Sequence, residues 1–213
     1  MKSFLLIGIG RFAHYLCREL AALGNEIVIA DVDETRMDDL LDLVVAAKIG
    51  DCTRKEVLAT FGVNNFDACF VCMGSNFQNS LQVTDLLKEM GARRVVSRAT
   101  TDIHAKFLRR AGADEVVFPD RDMSERIAVR ASNDNVFDYF ELSDEIVIYE
   151  IAVPHRWIGK TVAEVDVRRK YNVNILAFQK NGRTHALNSP NHVFVDDEHL
   201  MVLGTREDLD RLV

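Results

Sequence analysis

Polar and apolar positions along this chain follow two regimes. From residue 4 to about residue 118, short apolar runs alternate with longer stretches in which apolar residues recur every three or four positions. The runs at 4–9, 26–31, 44–49, 66–73, 93–98 and 115–118 predict six strands. The stretches at 12–23, 34–43, 54–61, 77–90 and 102–111 predict helices, the last two stopped by Gly91 and Gly112. Strand and helix in strict alternation with short links predict an α/β domain, a doubly wound parallel sheet wrapped by helices. A helix over 123–131 follows, broken by Ser132-Asn133-Asp134-Asn135, and Val136 to Leu142 reads as one or two further helical turns. After that the pattern changes. Residues 145–153 alternate as a strand closed by Pro154, and 161–171 carry a short helix. Two strands, 173–180 and 183–187, flank Asn181-Gly182, a dipeptide suited to a tight hairpin. A strand at 199–203 and a helix at 206–213 complete a small α+β module. The expected division is a first domain over 1–134, a connecting segment over 135–144 and a second domain over 145–213. No repeat, low-complexity segment or flexible linker interrupts it.

The first unit carries the chemistry. Phe4 to Ile9 leads into Gly8-Ile9-Gly10, and Arg11-Phe12-Ala13 opens the following helix. Gly8 permits a tight turn, Gly10 removes the Cβ that would bar a phosphate, and Ala13 lets the helix lie close to the strand. The helix N-terminus adds N–H donors and the positive end of a dipole. Asp31 closes the second strand 21 positions beyond Gly10, where a carboxylate accepts the two hydroxyls of a ribose and repels a 2′-phosphate. Together these predict a Rossmann-like dinucleotide-binding unit. Arg11, a cation where the helix dipole disfavours one, reads as a phosphate contact or as a solvated side chain. Gly50-Asp51 reads as a closure over the base, or Asp51 as a helix cap. Asp120, after Pro119, reads as a cap for the helix behind it.

Composition narrows the field. Apolar residues make up 48% and charged residues 28% of the chain, enough for a proper core. A net charge of −7 argues against nucleic acid as a partner, because phosphate contacts need clustered basic residues. Cys69 and Cys72 form a CxxC inside an apolar run, where strand alternation sends them to opposite faces; with Cys17 and Cys52 they read as core thiols in a reducing compartment. No charged-then-apolar leader opens the chain, and no apolar run approaches the roughly 18 residues that span a bilayer. The expectation is a cytoplasmic protein that reaches a membrane only through another chain. The six histidines show no metal-ligand spacing, and no nucleophile, base and acid stand in order. A nucleotide site without catalytic machinery suggests sensing rather than turnover. An NAD(H)-dependent oxidoreductase with a small substrate module is the reading from another class. The basic run Arg168-Arg169-Lys170 reads as a solvated face or as an anion site.

These residues resemble a known family. Phe4 to Ala13, Asp31, Gly50-Asp51-Cys52-Thr53, Gly74-Ser75-Asn76 and Phe118 to Met123 resemble the RCK (KTN, TrkA-N) domain. Residues 146–213, with Val167 to Tyr171 and Ile175-Leu176-Ala177, resemble TrkA-C. That order, RCK_N then RCK_C, covers essentially the whole chain and is similar to the regulatory subunits of Ktr potassium transporters. The resemblance implies a cytosolic, non-enzymatic gating subunit, peripheral on the inner face of the membrane. It implies dimers that assemble into an octameric ring beneath a membrane-embedded potassium-translocating subunit, with ATP or ADP (in some members NAD or NADH) switching the ring. It further implies that Gly8, Gly10, Arg11, Phe12, Asp31, Asp33, Gly50, Asp51, Cys52, Thr53, Gly74, Ser75 and Asn76 contact nucleotide, with Arg98 near its phosphates. Asp120 matches an acidic position that helps hold a divalent or monovalent cation at the dimer interface, where a longer Glu is familiar. Arg168 matches a contact for cyclic di-AMP, although Ala163 replaces a larger aliphatic residue there.

Overall fold

The computed structural model describes residues 1–213 except Ser75 and Asp144. It divides into two compact units, Met1–Asp120 and Arg121–Val213. In the first, β1 (Ser3–Ile7), α1 (Arg11–Ala22), β2 (Glu26–Asp31), β3 (Ala46–Ile49), α2 (Lys55–Ala59), β4 (Ala68–Val71), α3 (Phe77–Glu89), β5 (Val95–Arg98), α4 (Asp102–Arg110) and β6 (Glu115–Val117) follow one another. The six strands form one sheet in the order β3-β2-β1-β4-β5-β6, every pairing parallel. The strand order reverses at β1, so the crevice at its carboxyl end is where a doubly wound sheet takes its ligand.

Alternation along the strands sends their side chains to two cores. Leu5, Ile7, Cys69 and Val71 pack with Leu58, Val83 and Leu87 from α2 and α3 on one face. Leu6, Ile27, Ile29 and Cys72 pack with Ala13 and Cys17 of α1 on the other. Cys69 and Cys72 thus do lie on opposite faces. All four thiols are free and buried, and burial pushes those of Cys52, Cys69 and Cys72 up to about 12.

Local chemistry sets the ends of the elements. Asn76 caps α3 by accepting the N–H of Asn79 at 3.0 Å, and Thr101 caps α4 by accepting that of His104 at 3.2 Å. The predicted helix over 34–43 is instead two 3₁₀ segments, Glu34–Arg36 and Asp38–Leu43. With Asp33 drawing in the Thr35 N–H and Leu40 the one buried residue of the second segment, too little apolar surface supports a longer helix.

α5 (Pro119–Ser132) begins four residues earlier than its apolar pattern suggests, with Pro119 in the first helical position. The second unit then comprises β7 (Val136–Glu141), β8 (Ile146–Ala152), α6 (Val162–Val165), α7 (Val167–Tyr171), β9 (Asn174–Lys180), β10 (Arg183–Ala186), β11 (Glu198–Thr205) and α8 (Arg206–Asp210). Its strands form an antiparallel sheet in the order β10-β9-β11-β8-β7. The hairpin at Asn181-Gly182 forms as expected, both residues at positive φ. The helix over 161–171 splits in two at Asp166, which has φ 52°. Residues 136–141, read from sequence as helical turns within the connecting segment, form a strand against β8. Val136 and Tyr139 join Tyr149, Ile151, Trp157, Phe194 and Leu200 in the core of this unit.

Candidate functional site

The carboxyl ends of β1 to β5 enclose a cavity of about 430 Å³. Its floor is the turn after β1. Gly8 has φ +86°, and a Cβ there would come within 3.0 Å of the Met73 Cβ and 3.1 Å of its backbone nitrogen, so only glycine fits. Gly10 is different: its φ is −97°, and a Cβ would meet no protein atom within 4 Å. It lines the cavity as bare backbone, and α1 starts beside it with no side-chain cap and no acid in its first turn. The first N–H groups of the helix are therefore left to whatever anion enters.

Asp31 stands against this turn, only 6% exposed. Its Oδ2 accepts the Ile9 N–H at 2.6 Å and its Oδ1 accepts the Asp33 N–H at 2.9 Å. Each carboxylate oxygen keeps a lone pair for a further donor such as a ribose hydroxyl. Asp51 organises the part of the wall after β3. Its Oδ1 accepts both the Thr53 hydroxyl at 2.7 Å and the Thr53 N–H at 3.0 Å, and these bonds hold its carboxyl below the usual carboxylate range. The remaining wall comes from Gly74 and Asn76 after β4 and from Arg98 at the end of β5. Gly74 makes room for the guanidinium, since a Cβ there would lie 3.3 Å from the Arg98 Nε and Cζ. Arg98 donates from Nη2 to the Asp120 Oδ2 at 2.6 Å.

The cavity thus gathers Gly8, Gly10, Asp31, Gly50, Asp51, Cys52, Thr53, Gly74, Asn76 and Arg98 from the predicted set. Arg11, Phe12 and Asp33 do not line it. Arg11 is exposed, Phe12 packs on the α1 core, and Asp33 caps the Glu34–Arg36 turn. Ser75 lies outside the described residues. Eight lining residues lie outside the predicted set, Arg36, Met73, Asn79 and Thr100 among them. Arg36 stands 3.3 Å from Asp33 and 3.9 Å from Asp31, and only its position five residues beyond Asp31 hinted at this.

Asp120 is the acid to which the resemblance assigns a cation. The Arg98 guanidinium pairs with it, and no group of three or more His, Cys, Asp or Glu gathers as a metal site among the described residues. Arg168 lines a second cavity, about 310 Å³, in the second unit beside Ala163, Ile175 and Pro190. Among the described residues no helix is long and apolar enough to cross a membrane.

The chain shares this arrangement with known proteins. Two family models match it, the TrkA-N domain over residues 4–119 and the TrkA-C domain over 146–213. The Ktr system potassium uptake protein C of Bacillus subtilis is 37% identical over 210 residues, covering 99% of this chain and 95% of that protein. The Ktr system potassium uptake protein A of the same organism is 32% identical with the same coverage. The crystal structure of the GsuK RCK domain superposes on 99% of this chain with a TM-score of 0.69 at 18% identity, and the GsuK channel bound to NAD on 98% with 0.66 at 19%. This chain spans only 46% and 38% of those longer chains, and at such identities the likeness shows the fold alone. With its parallel nucleotide-type sheet followed by the antiparallel module, the chain belongs to the RCK (KTN) family of TrkA-N plus TrkA-C proteins.

Proposed function

We propose that this chain is a nucleotide-sensing regulatory subunit of a potassium uptake transporter, cytoplasmic and held at the membrane through a potassium-translocating partner. The observation that carries the reading is the cavity at the carboxyl edge of β1 to β5, lined by the bare backbone of Gly10 and by the buried Asp31. An adenine nucleotide fits these groups. Asp31 takes the ribose hydroxyls, the α1 N-terminus takes the first phosphates, and Arg98 meets the outer ones. The relatives of near full-length coverage are Ktr potassium uptake proteins, which supports transport as the setting.

A regulator acts by binding one state better than another, since a ligand of equal affinity for both shifts nothing. ATP and ADP differ by one phosphate, so the discriminating groups are the cations at the phosphate end, Arg98 of the same copy and Arg11, whose exposure leaves it available to a neighbouring copy in a dimer or octameric ring. The resemblance offers a bound cation on Asp120 as the counter-charge; the Arg98 guanidinium, already paired with that acid, is the counter-charge favoured here. NAD and NADH are the rival ligands for the same cavity, because the GsuK channel bound to NAD has this fold. Cyclic di-AMP is assigned to the Arg168 cavity as a separate ligand.

The test is potassium flux in vesicles carrying the chain with its membrane partner. ATP and ADP are expected to give different flux at saturating concentration, with NAD and NADH run beside them. Identical flux with ATP and ADP overturns the sensing role.

A further inference from the structure

The order of the sheet, β3-β2-β1-β4-β5-β6, gives the cavity two ends. The glycine turn and the start of α1, read above as the phosphate seat, follow β1 in the middle. Gly74, Asn76 and Arg98 come from the β4 and β5 side. Asp31, Val32 and Arg36 come from the end of β2 and the segment behind it, and Gly50 to Thr53 follow β3. With phosphates over β1 and ribose on Asp31, the base of a nucleotide falls at the β2–β3 end.

Arg36 is the cation that lines this end. Its backbone carbonyl accepts the Nε2–H of His14 at 2.8 Å, so α1 fixes where the side chain starts. Its Nε stands 3.3 Å from the Asp33 Oδ2, and its Nη1 stands 3.9 Å from the Asp31 Oδ2. Asp33 is itself held, since its Oδ1 accepts the Thr35 hydroxyl at 2.6 Å and the Thr35 N–H at 3.1 Å. Two carboxylates against one guanidinium leave this corner net negative, which disfavours a further phosphate. A guanidinium engaged at its N–H rim still has its flat face to offer, and that face stacks on aromatic rings and nucleobases. Val32, 65% exposed and lining the same end, adds apolar surface that a ring would cover.

Resting on the nucleotide reading of the cavity, we propose that Arg36 determines base specificity, its guanidinium face stacking on the purine while Asp31 and Asp33 hold its rim. The larger ring of a purine covers more of that face than a pyrimidine does. The site then selects its ligand by the base at one end and by the phosphates over β1, through separate groups.

Calorimetry on the full chain with AMP, ADP and ATP, and displacement of ADP by UDP, test this on wild type, Arg36→Gln and Arg36→Lys. Arg36→Gln is expected to weaken all three adenine nucleotides alike, by about three- to ten-fold, and to change UDP less than two-fold. Arg36→Lys keeps the charge beside the two acids but has no planar face, so it is expected to show the same loss. Melting curves without ligand check that both variants fold. Wild-type ADP affinity in Arg36→Lys overturns the stacking role and leaves only a charge. An equal loss for ADP and UDP overturns it as well, because disruption of the turn would weaken both. So does a loss that grows from AMP to ATP, which would make Arg36 a phosphate contact. Failure of wild type to bind any nucleotide overturns the nucleotide reading itself, a result distinct from each of these.

Discussion

Asp31 accepts the backbone N–H of Ile9 at 2.6 Å, tying the end of β2 to the glycine turn after β1. The acid expected to bind ribose therefore also holds the floor of its own site. Its other oxygen holds the chain at Asp33 in the same way, at 2.9 Å. A carboxylate so placed positions the Gly8-Ile9-Gly10 turn before any ligand arrives, and binding need not supply that order.

This double role is testable on the protein without ligand. Asp31→Ala leaves two backbone donors without their acceptor at a site only 6% exposed, and a buried orphan of this kind costs about 1–3 kcal/mol. Chemical unfolding should show Asp31→Ala less stable by at least that amount, alongside loss of adenylate binding by calorimetry. Unchanged stability with lost binding would reduce Asp31 to a ligand contact alone.

The two glycines of the turn should separate cleanly. Gly8→Ala places a Cβ 3.0 Å from the Met73 Cβ at φ +86°, so it strains the backbone and crowds the segment just after β4. A loss of about 1–3 kcal/mol is expected for backbone held in so unfavourable a region. Gly10→Ala has ordinary φ and open space, so its stability should match wild type within about 1 kcal/mol while nucleotide affinity falls at least ten-fold. Thermal melts and calorimetry on both variants decide it; equal destabilisation would mean that Gly10 serves the fold, not the ligand.

The first unit is legible in the sequence because each buried strand is an apolar run ending in small or polar residues, and those ends are the cavity. Arg36 was hidden because its importance depends on a 3₁₀ turn that brings it back toward Asp31, and the spacing of 34–43 resembles an ordinary helix. β7 was hidden by a register shift between Val136 and Asp138. The irregularity lets Val136 and Tyr139, three residues apart, both face the core, and a spacing of three mimics a helix. Asp120 shows the opposite limit: its place at the head of a helix is readable, but its Arg98 partner comes from another strand end, 22 residues away.

Because β7 completes the second sheet, that module should begin well before residue 145. A fragment of residues 121–213 retains Val136 and Tyr139, which are 4% and 3% exposed, and the bond from Arg206 Nη2 to the Tyr139 hydroxyl at 2.6 Å. A fragment of 145–213 lacks them, and burying one such side chain is worth about 1.5–3 kcal/mol. Circular dichroism melts should show a cooperative transition for the longer fragment and a lower midpoint, or none, for the shorter. Equal midpoints would remove β7 from the folding unit.

His104 gives the fold a dependence on pH whose sign follows from its surroundings. It is 1% exposed, its Nε2 lies 2.7 Å from the Ser80 hydroxyl, and the Thr100 N–H points at its Nδ1 from 3.4 Å. That N–H requires an acceptor at Nδ1, so the ring is neutral with its proton on Nε2, and Ser80 passes its own proton to the Phe77 carbonyl at 3.0 Å. Burial holds the His104 pKa below its usual 6.5. Between the unfolded value and the lower folded one, the unfolded chain binds a proton that the folded chain refuses. The contribution of His104 is therefore complete above about pH 7.5, and it declines as pH falls through 6.5 toward the folded value. Melting wild type and His104→Asn from pH 8 to pH 5 should show the advantage of wild type shrinking as pH drops. Because the folded ring stays neutral over this interval, adenylate affinity at the cavity lined by Thr100 should hold steady in wild type until the pH reaches the lower folded value. Parallel melting curves would mean that His104 has the same pKa folded and unfolded, and an advantage that grows as pH falls would mean that the fold holds the ring protonated.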